Sequence, residues 1–287
     1  MMYPILCKVR HETLHLTFSH RALWIQIGVS FVLNWIFCPL LMLGLAWAFL
    51  PDEPQLREDL IFVGIARYIV MVLIWTDLAG GDTDYCAVLV AFNSILLFAL
   101  LAIFYVKVIS GSSSDLDISY NTVATSVAVF LGIPLGTAIV TRLSLRRLLL
   151  GEKNYQTYFV RFISPLSPIG LIFTIIVLFA SQGKRVVDQI IDVLRVMAPL
   201  IVYFAITFSL VVFMCHRLGF GYRVSCTQSF MAASNNFELA IAVVVAVYGV
   251  NSEQALDSTV GPLVEVPILV GCVYILQWLK GKWDWKD

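Results

Sequence analysis

The sequence predicts an all-α integral membrane protein with eight full transmembrane helices. Three observations lead there. Of 287 residues, 60% are hydrophobic and 13% charged, where ordinary soluble domains carry about 45–50% and about 25%. Mean hydropathy is +0.87. The apolar residues fall into runs of roughly 20 or more, the length that crosses a bilayer.

The runs cover about 22–50, 58–78, 84–107, 119–141, 159–182, 195–216, 224–250 and 258–279. Residues 1–21 precede them as the tail of a helix and a basic loop. Polar or glycine-containing loops separate the runs: PDEPQLRED, AGGDTD, SGSSSDLD, RLSLRRLLLGEKN, QGKRVVDQ, HRLGFGYR and NSEQALD. Every run is too long for a barrel strand, and an isolated apolar strand leaves its polar backbone unsatisfied in lipid. Helices result, and the even apolarity makes 1–287 a single membrane domain.

Lysine and arginine set the orientation. With the N-terminus cytoplasmic, thirteen of the 19 basic residues fall inside, Arg142, Arg146 and Arg147 among them. Five fall outside (Arg57, Lys107, Lys184, Arg185 and Arg195), and Arg67 lies within a span. Both termini are therefore expected in the cytoplasm. The N-terminus has only a short apolar stretch ahead of its basic residues, the reverse of signal-peptide order.

Several function classes are excluded. The formal net charge is zero, so no basic domain exists for nucleic acid. The six cysteines are scattered without a CxxC pair, which argues against a zinc or disulfide framework. There is no P-loop, GxSxG elbow or Rossmann fingerprint; the chain alone is not an ATP-driven pump, and neither an enzyme nor a cofactor is expected. One motif points elsewhere: His11-Glu12-Thr13-Leu14-His15 spells HExxH, the zinc-protease pattern. It sits in a basic loop without a suitable third ligand, and a chance match is the plainer reading.

Three ionisable residues stand deep within apolar runs: Arg67, Glu238 and Glu265. A charge there costs about 2.5–3.5 kcal/mol even on the lenient insertion scale. Such residues mark substrate or ion pathways, or else lock helices together as ion pairs. Glu238 ends the mid-span sequence Ser234-Asn235-Asn236-Phe237-Glu238, a polar density that predicts a helix break or a wet cavity. Glu265 lies between Pro262 and Pro267, which cannot both sit in an undistorted helix. The second and seventh runs, holding Arg67 and Glu238, have opposite orientation. Matching polar interruptions in inverted halves point to a transport site, and a buried carboxyl that exchanges protons suits proton coupling.

These stretches resemble the arsenite efflux permeases, the Acr3-type arsenical-resistance proteins of the bile acid:sodium symporter-like superfamily. The likeness is carried by MMYPILCKVR (1–10), LNWIFCPLLMLGLAWAFLP (33–51), GIARYIVMVLIWTDLAGGDTDYCAVLVAFNSI (64–95), ASNNFELAIAVVVAVYGVNS (233–252) and GPLVEVPILVGCVY (261–274). The resemblance implies ten helices in two inverted five-helix repeats. They form a panel and a core, with two discontinuous helices crossing near the midplane. Eight full spans are seen here, so one repeat is expected to be N-terminally incomplete. The resemblance further implies export of trivalent arsenite or antimonite against protons, with the plasma membrane as the site of action. Its residue pattern is kept at Arg67, Asn93, Asn235, Asn236, Glu238 and Glu265, with Ser234 beside them.

Three positions depart from the pattern. Tyr68 stands where the family carries cysteine, Thr76 replaces the usual asparagine and Gly80 the usual lysine. Trivalent arsenic is soft and favours thiolates, so Tyr68 alters the position that matters most. Cys86 and Cys226, near span starts, are the alternative thiols, although buried cysteines are commonly inert. The leading reading is a proton-coupled metalloid exporter. A sodium-coupled organic-anion carrier of the same superfamily and a truncated, non-transporting paralogue stand as alternatives.

Overall fold

The computed structural model describes residues 2–7, 21–65, 71–90, 92–93, 133–148, 151–166, 190–237 and 254–286, and isolated positions between 169 and 188. Arg67, Tyr68, Glu238 and the HETLH segment at 11–15 lie outside them. The described residues are nearly all helical, as an all-α membrane protein requires. The short α1 (Met2–Leu6) is followed by α2 (Arg21–Val32) and α3 (Cys38–Phe49), then α4 (Pro54–Ile65), α5 (Met71–Ala79) and a helical stretch at 83–90. Further on come α6 (Ile133–Leu148), α7 (Ile190–Arg217), α8 (Tyr222–Ala233) and α9 (Gln254–Lys280). Among the described residues, three stretches, Trp24–Phe49, Ile190–Arg217 and Val260–Lys280, are long and apolar enough to cross a membrane.

The surface is more apolar than that of a soluble protein, and the apolar interior holds a set of buried polar groups. Trp24, Ile36, Leu40, Trp47, Phe213, Tyr274 and Trp278 are exposed, while Ser30, Asn34, Gln228, Ser234, Asn235 and Glu265 are buried. Contiguous exposed apolar side chains of this kind face lipid, and buried polar groups require internal partners.

α2 and α3 form one rod joined by a π-helical turn, Leu33–Phe37. Pro39 explains the turn: it brings no N–H, and its ring crowds the carbonyl four residues back, that of Trp35. The ladder slips by one residue, so that the Cys38 N–H donates to the Leu33 carbonyl. The Asn34 side chain completes the repair by donating to the Ser30 carbonyl at 2.8 Å.

Two glycine turns shape the ends of α5 and α7. Gly80 (φ 75°) and Gly219 (φ 75°) each adopt the left-handed conformation that suits glycine. After α5, Gly80 donates to the Asp77 carbonyl and Gly81 to that of Thr76; after α7, Gly219 donates to His216 and Phe220 to Cys215. Both pairs are Schellman motifs, which satisfy carbonyls that a helix end would otherwise leave bare. The glycine at position 80, where the resembling family has lysine, therefore has a structural role.

The two turns lead to one junction. The Tyr222 hydroxyl donates to the Ala79 carbonyl at 2.8 Å, and Asp82 N–H donates to the Arg223 carbonyl at 3.2 Å. The end of α5 and the start of α8 are thus fastened together. α8 also packs on α7, and α9 packs on α4, α5 and α7. α9 stays helical through both Pro262 and Pro267, so the prolines do not break it.

Candidate functional site

The site is built around the end of α8, which stops inside the protein. Ser234 N–H still bonds the Phe230 carbonyl at 3.0 Å, but at Ser234 the backbone turns extended (φ −102°, ψ 146°). The break predicted for Ser234–Asn236 is there. A helix that ends in a buried place exposes carbonyls and N–H groups that need outside partners.

Three neighbouring helices supply them. The Tyr203 hydroxyl of α7 lies 3.4 Å from the Ala232 carbonyl and 3.4 Å from Asn235 Oδ1, donating toward both. Cys38 Sγ of α3 donates to the Ala232 carbonyl at 3.5 Å. From α9, Glu265 Oε1 accepts the backbone N–H of Asn235 at 3.3 Å. Glu265 is 1% exposed and Asn235 wholly buried, so the bond is shielded from solvent.

Glu265→Gln keeps an oxygen at the acceptor position and is expected to melt close to the parent chain. Glu265→Leu takes that acceptor from Asn235 and should cost about 1–3 kcal/mol. Thermal melting of the two purified variants side by side checks this; equal melting would mean the bond contributes nothing.

Of the residues expected from sequence, Ser234, Asn235, Asn236 and Glu265 are brought together at this break, all buried. Asn93 lies apart from them in its bonding: its Oδ1 accepts the Trp35 indole N–H of the rod at 3.0 Å. Cys86 is fully buried, and the Thr76 hydroxyl donates to its sulfur at 3.6 Å. Cys226 packs where Gly81 leaves room: a Cβ at 81 would lie 3.0 Å from that of Cys226 and 2.7 Å from Thr76 Cγ2.

Sequence reasoning missed Asn34 and Gln228. Gln228 is buried in α8 and donates to the Gln26 carbonyl at 2.9 Å and to the Tyr85 hydroxyl at 2.5 Å. It joins α8 to both the rod and the 83–90 helix. The signal was there: Gln26, Ser30, Asn34 and Cys38 recur every four residues along an otherwise apolar span, which places them on one helix face.

Comparison with known proteins agrees with this architecture. Residues 1–189 match the model of the Sodium Bile acid symporter family. Over 98% of its length the chain is 43% identical to the arsenical-resistance protein Acr3 of Corynebacterium glutamicum, covering 77% of that protein. It is 30% identical to the arsenical-resistance protein Acr3 of Alkaliphilus metalliredigens, over 96% of this chain and 78% of the relative. An uncharacterized transporter of Synechocystis sp. is 28% identical over 96% of this chain and 76% of its own length. A family match across most of the chain, together with near full-length identity of this size, makes the chain an integral membrane protein of the sodium bile acid symporter family, within its Acr3 arsenical-resistance group.

Proposed function

We propose that the chain is a secondary carrier exporting trivalent arsenite or antimonite in exchange for protons. The observation that carries the reading is the 43% identity to an arsenical-resistance protein over 98% of the chain. The buried break at Ser234 supports it, because an irregular backbone at membrane depth is tolerated where it lines a site.

In this reading, the chain contributes eight spans of a ten-helix inverted-repeat fold. The second and seventh spans cross, and a core moves against a panel. Glu238 exchanges the proton. Asn235, Asn236, Ser234 and Asn93 line the polar path, Arg67 balances charge, and Glu265 holds the extended segment from α9. The excess of basic residues on one side supports cytoplasmic termini, and efflux suits the plasma membrane.

Arsenite efflux from a metalloid-sensitive cell tests the proposal. The parent chain should lower cellular arsenic when a proton gradient is present, and Glu238→Gln should abolish that effect at equal membrane abundance. Undiminished, still proton-driven efflux by Glu238→Gln would sink the role given to Glu238. A second reading, sodium-coupled organic-anion transport, is favoured by Tyr68 in place of a thiol. Export that follows a sodium gradient and ignores arsenite would establish it. Tyr68→Cys is the companion variant: higher arsenite efflux than the parent would mean that the substitution at 68 limits metalloid handling.

A further inference from the structure

Residues 281–286, which follow α9, fold back over the turn between α7 and α8. Gly281 N–H donates to the Trp278 carbonyl at 3.2 Å, and the N–H groups of Lys282 and Trp283 both reach the Leu279 carbonyl at 3.0 Å. The Trp285 indole N–H donates to that carbonyl at 3.3 Å. Two rings then close on His216 of α7, with centroids 4.5 Å (Trp283) and 5.1 Å (Trp285) away. Trp285 also meets the Tyr222 ring of α8 edge-on at 5.5 Å. Both tryptophans pack against the core that holds Tyr222 and Leu279, so the segment belongs to the fold.

This clasp gathers positive charge. Lys280 Nζ lies 4.9 Å from the Tyr222 ring centroid, Lys282 Nζ 5.1 Å from that of Trp278, and Arg217 Cζ 5.0 Å from that of Phe213. Lys286 Nζ stands over Gly219, where an added Cβ would lie 2.9 Å from it. Arg217 and Lys282 are the chain neighbours of His216 and Trp283, so the stacked rings bring their cations into one patch. Among the described residues these four cations make no ion pair, and Arg223 beside them has Asp82 at 3.9 Å. Helix dipoles draw cations into last turns, which accounts for Arg217 and Lys280. Lys282 and Lys286 lie beyond α9, where the dipole does not account for them.

The patch sits at a definite depth. Phe213 and Trp278 are 48% and 60% exposed, on two stretches long and apolar enough to span a membrane. Exposed rings on such stretches meet acyl chains, tryptophan favours the interface, and basic side chains reach up from it to the headgroups. Arg217 over Phe213 and Lys282 over Trp278 have that arrangement. Cations at headgroup level with no carboxylate of their own attract a lipid phosphate. A zwitterionic lipid brings an ammonium that the patch repels, whereas an anionic lipid does not.

We propose that residues 281–286 and the α7–α8 turn beneath them form a binding site for the headgroup of an anionic phospholipid. Arg217, Lys280, Lys282 and Lys286 supply the charge, and the stack of Trp283 and Trp285 on His216 holds them together. The site is separate from the break at Ser234 and serves the chain whatever substrate it carries.

The test places the purified full chain in phosphatidylcholine nanodiscs containing a minority of phosphatidylglycerol with a photoreactive group near its headgroup. Mass mapping should find the crosslinks on 213–223 and 274–286. Lys280→Gln, Lys282→Gln and Lys286→Gln combined should lower that capture about tenfold or more, since each cation near an anionic surface contributes about fivefold. The three Lys→Arg changes combined should capture as the parent does, which guards against a variant that fails to fold. Trp283→Leu with Trp285→Leu keeps every cation but opens the clasp; it should lower capture about fivefold, the contribution of one displaced cation. Arg147→Gln, in another basic stretch, should leave capture at this patch unchanged. Equal capture of a matching phosphatidylcholine probe overturns the inference, as does capture indifferent to the three lysines. Capture that falls with the lysines but ignores both tryptophans also overturns it, because diffuse charge would then suffice without a built site.

Discussion

Gly261→Ala will abolish transport and lower the melting temperature, although it adds a single methyl group. A Cβ at position 261 would overlap the ring of Phe237. Phe237 is 3% exposed and packs in the same core cluster as Val260 and Val264 of α9, so the ring has nowhere open to go. Overpacking of this kind costs about 1–3 kcal/mol. The functional effect exceeds the stability effect because of where the ring sits. Phe237 lies between Asn236 and Glu238, and displacing it re-aims the extended segment that carries the proposed pathway. A second substitution separates the two effects. Phe237→Leu in the Gly261→Ala background restores space and should recover most of the lost melting temperature. Arsenite efflux and thermal melting on both variants check this. Gly261→Ala that transports normally would mean that ring position does not govern the site.

How much was legible in the sequence depends on whether the signal was local. The break at Ser234 could be read because four polar residues crowd one apolar span, and no lipid-facing helix tolerates them. The partners of that break could not be read. Tyr203, Cys38 and Glu265 come from three other helices, and sequence spacing does not show which helices meet. Glu265 was singled out as a buried charge, yet its task of receiving the Asn235 N–H follows from the packing of α9. The two prolines beside it predict a distorted helix, and α9 remains helical across both of them. Asn34 and Gln228 were passed over for another reason. Uncharged amides barely change the hydropathy of a span, so charge-seeking inspection finds glutamates and misses amides. The four-residue period of Gln26, Ser30, Asn34 and Cys38 was the readable trace. Gly80 was read as a lost lysine, whereas the backbone shows a turn that favours glycine.

Arg142 is the clearest case of a residue whose meaning changed, and it carries the second large prediction. Counting charges treats it as one solvated cation of a cytoplasmic loop. The structure buries it to 1% exposure. One guanidinium nitrogen, Nη2, donates to both Glu152 oxygens at 2.9 Å, and the other, Nη1, donates to the Cys7 carbonyl at 3.3 Å. Tyr155 donates its hydroxyl to the same carbonyl at 3.0 Å, and its ring centroid lies 5.1 Å from the guanidinium. Tyr3 closes the arrangement by donating to the Thr141 hydroxyl at 2.9 Å. α1 is thereby fastened to α6 through the carbonyl that follows its last turn.

Arg142→Ala removes the central member. Breaking a buried pair costs about 3–5 kcal/mol when the remaining charge is stranded. Glu152 is one-third exposed and keeps Arg146 at 3.5 Å, which lowers the expected loss to about 2–3 kcal/mol, including the cavity left behind. The consequence should be local release of α1. Cys7 is a free thiol with no exposed surface in the parent chain. In Arg142→Ala it should become the first thiol to react with a water-soluble maleimide, as located by peptide mass mapping. Arg142→Lys keeps the charge but has a single nitrogen, which cannot span both Glu152 and the Cys7 carbonyl, and should fall between the two. If Cys7 stays protected in Arg142→Ala while the melting temperature drops, the damage is global, and Arg142 is not what holds α1 in place.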